Sequence, residues 1–188
     1  MFTPNFHIDS SPHQLAVDFR NAVNQIGVLR SVEKSEVIID SQTSAEFFFY
    51  VQDGIFKTTK KIGDREFVLG FTFPGDVDGD PGALLENTVS DFSMEAVTKS
   101  EVLLCRWKDL ASLLQAEKYH LTVNYFLTKY VSVLQHRLID AIAMTAEDRY
   151  KEMIAKQAQH LSQIPVSDLA SFLGITKQSM SRIRSSKF

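Results

Sequence analysis

The residues best suited to chemistry lie near the end of the chain, in DLASFLGITKQSMSRIR (168–184). Val166, Leu169, Ala170 and Leu173 recur at helical spacing. Gly174 follows, a residue that accepts a left-handed backbone and so ends helices. Thr176 is a good N-cap for a second helix, on which Met180 and Ile183 share one face. The other face carries Lys177, Gln178, Ser181, Arg182 and Arg184. Two short helices around a tight glycine turn, the second polar and basic, make the helix-turn-helix pattern. A helix laid in a major groove presents its N-terminal residues to base edges. Arg pairs bidentately with guanine and Gln with adenine, while Lys and Ser reach phosphate or base edges. The expected DNA contacts are therefore Thr176, Lys177, Gln178, Ser179, Ser181, Arg182 and Arg184. The same spacing also fits an ordinary helical hairpin with a solvated basic face.

Charge separates along the chain. Residues 145–188 hold seven Lys or Arg against four acids, net +3, whereas residues 1–144 hold thirteen against nineteen, net −6. The positive part is the one that would meet phosphate, although three charges are also within reach of chance.

Other chemistry is poorly supported. His7, His13, His120, His136 and His160 are scattered without metal-ligand spacing. No G-x-S-x-G elbow and no Walker loop occurs, and no enzyme is expected. The acidic run Asp76-Val77-Asp78-Gly79-Asp80 would need Gly at its sixth position and Glu at its twelfth to serve as a calcium loop. Those positions hold Pro81 and Asn87, so a polar turn is the reading preferred. The lone Cys105 excludes an internal disulfide and a cysteine-ligated iron–sulfur cluster, and suits a reducing cytoplasm. No apolar run approaches membrane-spanning length, and the first residues lack a signal pattern.

The elements that must position this site follow from periodicity. Ser11-Pro12 reads as a helix start, with Leu15, Phe19, Val23 and Ile26 along one face and Gly27 at its end. Residues 28–106 are rich in β-branched and aromatic residues broken by Asp53-Gly54 and Gly63-Asp64 turns, which predicts a sandwich or jelly-roll barrel. The aromatic run Phe47–Tyr50 predicts a strand buried on both faces. Trp107 to about Tyr119 reads as one short helix. Beyond it, Leu127, Val131, Leu134, Leu138, Ala141 and Thr145 recur at alternating spacings of four and three, with Tyr130 and Ile142 widening the stripe. That is an a/d seam, open to two readings: a dimer interface or a helix packed on its own barrel. Thr145-Ala146-Glu147-Asp148 caps a new helix, which places a boundary near Met144.

The stretch Leu169-Ala170, Leu173-Gly174-Ile175 and Thr176 to Ile183 resembles the helix-turn-helix of the Crp/Fnr bacterial transcription regulators. SVEKSEVIIDSQTSAEFFFYVQDGIFK, with FVLGFTFPGDVDGDPGALL, resembles their cyclic-nucleotide-binding jelly roll. The resemblance implies an α+β chain of three parts: an effector domain over 1–119, a dimerisation helix over 120–144 and a DNA-binding domain over 145–188. It implies double-stranded DNA, a second copy of the chain and RNA polymerase as partners, and no membrane. Two departures matter. The β-hairpin wing that usually follows the recognition helix is missing. The cassette positions that correspond are Gly79, Asp80, Ser90 and Asp91, and the family's phosphate-binding Arg is absent among them. Nothing nearby replaces that guanidinium fork, and the acids would repel a phosphate. The expectation is a small-molecule effector other than cAMP bound in the usual way, or none. The alternative is a ligand-binding or protein-interaction module that no longer reads DNA.

Overall fold

The computed structural model describes residues 6–8, 11, 13–114 and 116–185. The β-rich region forms two antiparallel sheets. One has five strands in the order β1 (Phe6–His7), β7 (Asp76–Asp78), β4 (Phe47–Asp53), β9 (Ser100–Arg106), β2 (Val28–Val32). The other runs β3 (Val37–Ile39), β8 (Ser93–Ala96), β5 (Phe56–Ile62), β6 (Arg65–Thr72). The two sheets close on a core of Val32, Phe49, Val51, Phe56, Met94 and Val102, with the Phe49 and Phe56 rings 4.9 Å apart. Side chains alternate across a strand. Phe49 and Val51 therefore enter the roll, while Phe48 and Tyr50 turn to the helices outside it. This is why the aromatic run of β4 is apolar on both faces.

Helices α1 (Gln14–Ile26), α3 (Trp107–Leu113) and the start of α4 (Ala116–Ala143) cover the outside of the five-stranded sheet. Gly27 is required by proximity rather than by its torsions: a Cβ there would lie 2.6 Å from the Val23 carbonyl oxygen and 2.8 Å from Leu103 Cβ. Lengths and caps differ from expectation at three points. The cap of α1 is His13, whose Nδ1 accepts from the Leu15 N–H, not Ser11; Pro12 lies outside the described residues. Leu114, extended at φ −86° and ψ 137°, breaks the expected helix 107–119 into α3 and the first turn of α4. Thr145 is not on the long helix. It caps α5 (Ala146–Leu161), accepting from the Asp148 N–H.

Two elements lack a clear sequence signal. β7 is a strand of alternating acids, and Asp is depleted in strands. α2 (Pro81–Glu86) is a short helix capped by Asp80, with Pro at its first position.

Candidate nucleic-acid interface and effector pocket

Helices α6 (Val166–Leu173) and α7 (Lys177–Ser185) form the helix-turn-helix. Gly174 sits left-handed at φ 70° and ψ 31°, and the Ile175 N–H closes the turn on the Ala170 carbonyl at 3.0 Å. Buried Leu169, Ala170, Leu173 and Met180 lock the two helices together. Thr176 caps α7 by accepting from the Ser179 N–H at 3.1 Å, and the two hydroxyls lie 3.0 Å apart. Lys177, Gln178, Ser181 and Arg182 are exposed on the outer face. Arg184 faces another way: it donates to the carbonyls of Ser162 at 3.0 Å and Ile164 at 3.3 Å, so it ties α7 to the turn before α6. Arg149, which the sequence reading passed over, donates to the Leu173 carbonyl at 2.8 Å and so occupies the end of α6.

This unit is seated on the four-stranded sheet rather than tethered beside it. Ile55, Val68, Phe71, Phe73 and Val97 share one core with Tyr150, Met153, Leu161, Ile164, Leu169 and Leu173. The Val68 N–H donates to Ser171 Oγ at 3.0 Å. Arg137 of α4 donates to the Leu69 carbonyl, and its guanidinium lies 5.1 Å from the centre of the Phe172 ring. Lys57 sits 3.4 Å from both Asp168 and Glu95. Burial opposes the lysine's charge, but these two acids outweigh it and hold the ammonium above its usual range. The His160 ring lies tilted against Phe73 with centroids 5.5 Å apart, and burial lowers its pKa against the pull of Asp53 and Asp76.

The cassette residues come together, but they bond inward. Asp80 is buried and accepts from the Ala83 N–H at 3.1 Å, the Ser90 hydroxyl at 3.1 Å and the Asp91 N–H at 3.0 Å. The Asp91 carboxylate is exposed and pairs with Lys60 at 3.0 Å. A side chain at Gly79 would be crowded, since a Cβ would lie 3.1 Å from Phe48 Cβ. Beside it Asp78 is buried and accepts from Thr72 at 2.6 Å, Thr58 at 3.1 Å and the Gly79 N–H at 2.8 Å. Burial pushes its carboxyl up to about 6, against these three hydrogen bonds. A cyclic phosphate would meet buried acids here and no guanidinium, which does not fit the usual cAMP site. Among the described residues no group of three or more His, Cys, Asp or Glu is arranged to hold a metal ion.

A largely apolar pocket of about 120 Å³ lies between α1, α2, α3 and α4 and is bordered by Val77, Asp78 and Gly79. Phe19, Phe48, Leu84, Trp107, Leu110 and Phe126 supply most of its wall. Thr122 also lines it, is 1% exposed, and its hydroxyl has no hydrogen-bond partner.

Farther along α4 the outward stripe is apolar and exposed: Val131 is 52% exposed, Leu138 63% and Ile142 79%. Leu134 and Ala141 are exposed too, while Leu127 and Tyr130 turn to the cavity. Among the described residues no helix is long and apolar enough to cross a membrane.

Comparison with known proteins places this architecture. Residues 29–117 match the cyclic nucleotide-binding domain. No curated protein matches the chain in sequence. The fold is that of FixK2 from Bradyrhizobium japonicum, at a TM-score of 0.73 and 19% identity over 85% of this chain and 83% of that one. It is also that of CLP, a c-di-GMP responsive global regulator of Xanthomonas campestris, at 0.68 and 17% over 89% of each chain. The catabolite activator protein of Thermus thermophilus matches at 0.56 and 19%, over 95% and 85%. Residues 29–117 thus match a cyclic nucleotide-binding domain, and the chain, with its long helix leading to a helix-turn-helix, shares the fold of these regulators.

Proposed function

We propose that the protein is a dimeric, sequence-specific DNA-binding transcription regulator of the cytoplasm. The observation that carries this reading is the outer face of α7. Lys177, Gln178, Ser181 and Arg182 stand exposed on a short helix whose other face is locked into a helix-turn-helix. Thr176 and Ser179 belong to the same site as cap residues whose hydroxyls lie at its N-terminal edge. Arg184 serves the scaffold, and its bonds to Ser162 and Ile164 fix the angle of the helix.

The division of labour is an effector unit over 1–119, a dimerisation helix over 120–144 and a DNA-binding unit over 145–188. The exposed stripe of α4 supports the second. Two copies related by a two-fold axis would set their α7 helices on half-sites about one helical turn apart. Regulation is a population shift: an effector that binds one orientation of the helix-turn-helix better than another changes operator affinity by that difference. The acids around Asp80 argue that this effector is not cAMP held in the usual way.

The test is selection of bound fragments from a random genomic DNA pool, with Arg182→Ala as control. Enrichment of a two-fold-symmetric motif by the parent protein alone supports the reading. The affinity so measured must also fall steeply with salt, as phosphate contacts require. No enrichment, with or without cyclic nucleotides, refutes it in favour of a protein-interaction module.

A further inference from the structure

We propose that the cavity between α1, α2, α3 and α4 is a binding site for a small neutral molecule, about one six-membered ring in size, that exchanges a hydrogen bond with Thr122. The inference rests on the regulator reading for its consequence, not for the binding itself. Three observations carry it. The first is space. The pocket is partly open to solvent and measures about 120 Å³. An apolar cavity of roughly 150 Å³ is known to take up benzene. The second is the wall. It is mostly aromatic and aliphatic, and no Lys, Arg or His among the described residues lines it. The one acid there, Asp78, already accepts three hydrogen bonds, so it offers a cation no oxygen that is free of a partner. With Asp80 next to it, the wall disfavours an anion. A neutral ligand is what remains.

The third is Thr122. A threonine in a helix usually returns its hydroxyl to the carbonyl one turn back. The Thr122 hydroxyl makes no such bond and is buried at the cavity wall. A buried hydroxyl without a partner is costly, and a ligand group that donates or accepts one bond removes the cost. This site borders the cassette, sharing Asp78 and Gly79 with it, but opens toward the helices rather than into the roll. Val77 and Phe48, which line the cavity, face the helices, whereas Phe49 faces the roll interior.

Occupancy would act on α4 directly. Thr122, Phe126, Leu127 and Tyr130 present one face of that helix to the cavity, and eleven residues or fewer separate Leu127 from the exposed Val131, Leu134 and Leu138. A ligand that wedges or draws in this end of α4 changes the tilt of the stripe that would pair with a second copy.

Trp107 is the only tryptophan of the chain and lines the cavity. Its fluorescence in the full-length protein is therefore a local reporter. The probes are benzyl alcohol, toluene and benzoate, which share a ring and differ in hydrogen bonding and charge. Benzyl alcohol should give a saturable change and bind roughly two- to tenfold tighter than toluene, the worth of one hydrogen bond. Benzoate should bind weakest. Thr122→Val should make benzyl alcohol and toluene equivalent while leaving toluene unchanged. Val123→Phe should fill the cavity and abolish the response to both. A wild-type protein that gives no saturable response to any probe overturns the proposal. So does binding that survives Val123→Phe undiminished, or benzoate binding best. A cavity closed by the second copy would show as probe binding only in a monomeric variant, and that also overturns it. The titration contains no DNA, so a failed operator selection leaves this result intact, and a failed titration leaves the DNA reading intact.

Discussion

Replacing Asp78 by Asn tests the electrostatics of the cassette with a sign fixed in advance. The carboxyl is buried and pushed up to about 6 from its ordinary 3.8. A raised acid means that the folded state holds a proton which the unfolded chain has released. Stability from the protonated form is complete below about pH 4 and is lost as pH rises through 6. Above pH 7 the wild type carries the whole cost of the buried charge, about 3 kcal/mol from a shift of roughly two units. Asn carries no charge at any of these pH values. Its amide oxygen can keep the Gly79 N–H, and its amide nitrogen can donate to Thr58 and Thr72, whose hydroxyls accept as readily as they donate. The assay is urea unfolding of both proteins at pH 5 and pH 8. Linkage predicts that the stability of Asp78→Asn relative to wild type rises between these values, by about 1–1.5 kcal/mol. A difference that stays flat, or that falls with pH, refutes the claim that a desolvated carboxylate sits at this position.

Four further outcomes follow from particular residues. Leu134→Glu combined with Leu138→Glu places like charges along the exposed stripe of α4, and sedimentation should show a monomer at micromolar concentration; an unchanged dimer removes this stripe from the interface. Arg182→Ala should cost about 1–3 kcal/mol on the operator. Arg184→Ala should lower the stability of the C-terminal helices by about 1–3 kcal/mol, because two backbone carbonyls lose their charged donor; a melting temperature equal to that of wild type would contradict this role. Burial pushes the Cys105 thiol up to about 12, so iodoacetamide should modify it only after unfolding, and alkylation of native protein within minutes would show that the thiol is exposed.

What the sequence disclosed, and what it withheld, divides along physical lines. Periodic and turn signals are local, so the jelly roll, the break near Met144, the glycine turn at Gly174 and the cap at Thr176 were all legible. Phe47–Tyr50 announced a strand buried on two sides. The strand Asp76–Asp78 was hidden because Asp78 is made tolerable by Thr58 and Thr72 and Asp76 by the Phe73 N–H, partners that only the fold supplies. Arg184 read as part of the basic face, since spacing cannot tell a side chain aimed outward from one bent back to the carbonyls of Ser162 and Ile164. Thr122 gave no signal at all. An unpartnered hydroxyl is a property of its surroundings, not of its residue type.

The apolar core shared by the four-stranded sheet and helices α5 to α7 bears on how the protein can be handled and how it fails. Ile55, Val68, Phe71, Phe73 and Val97 share one core with the C-terminal helices. A fragment ending at the close of α4 would display them as one continuous greasy plate. Such plates associate, so the isolated roll should precipitate or form soluble aggregates where the whole chain does not. Heat should melt roll and helices in a single step rather than in two. Proteases that nick the link at Met144 should leave the two pieces adhering to each other. A mutation at Phe71 would then damage DNA binding from a distance, by lowering the amount of intact protein rather than by touching the groove.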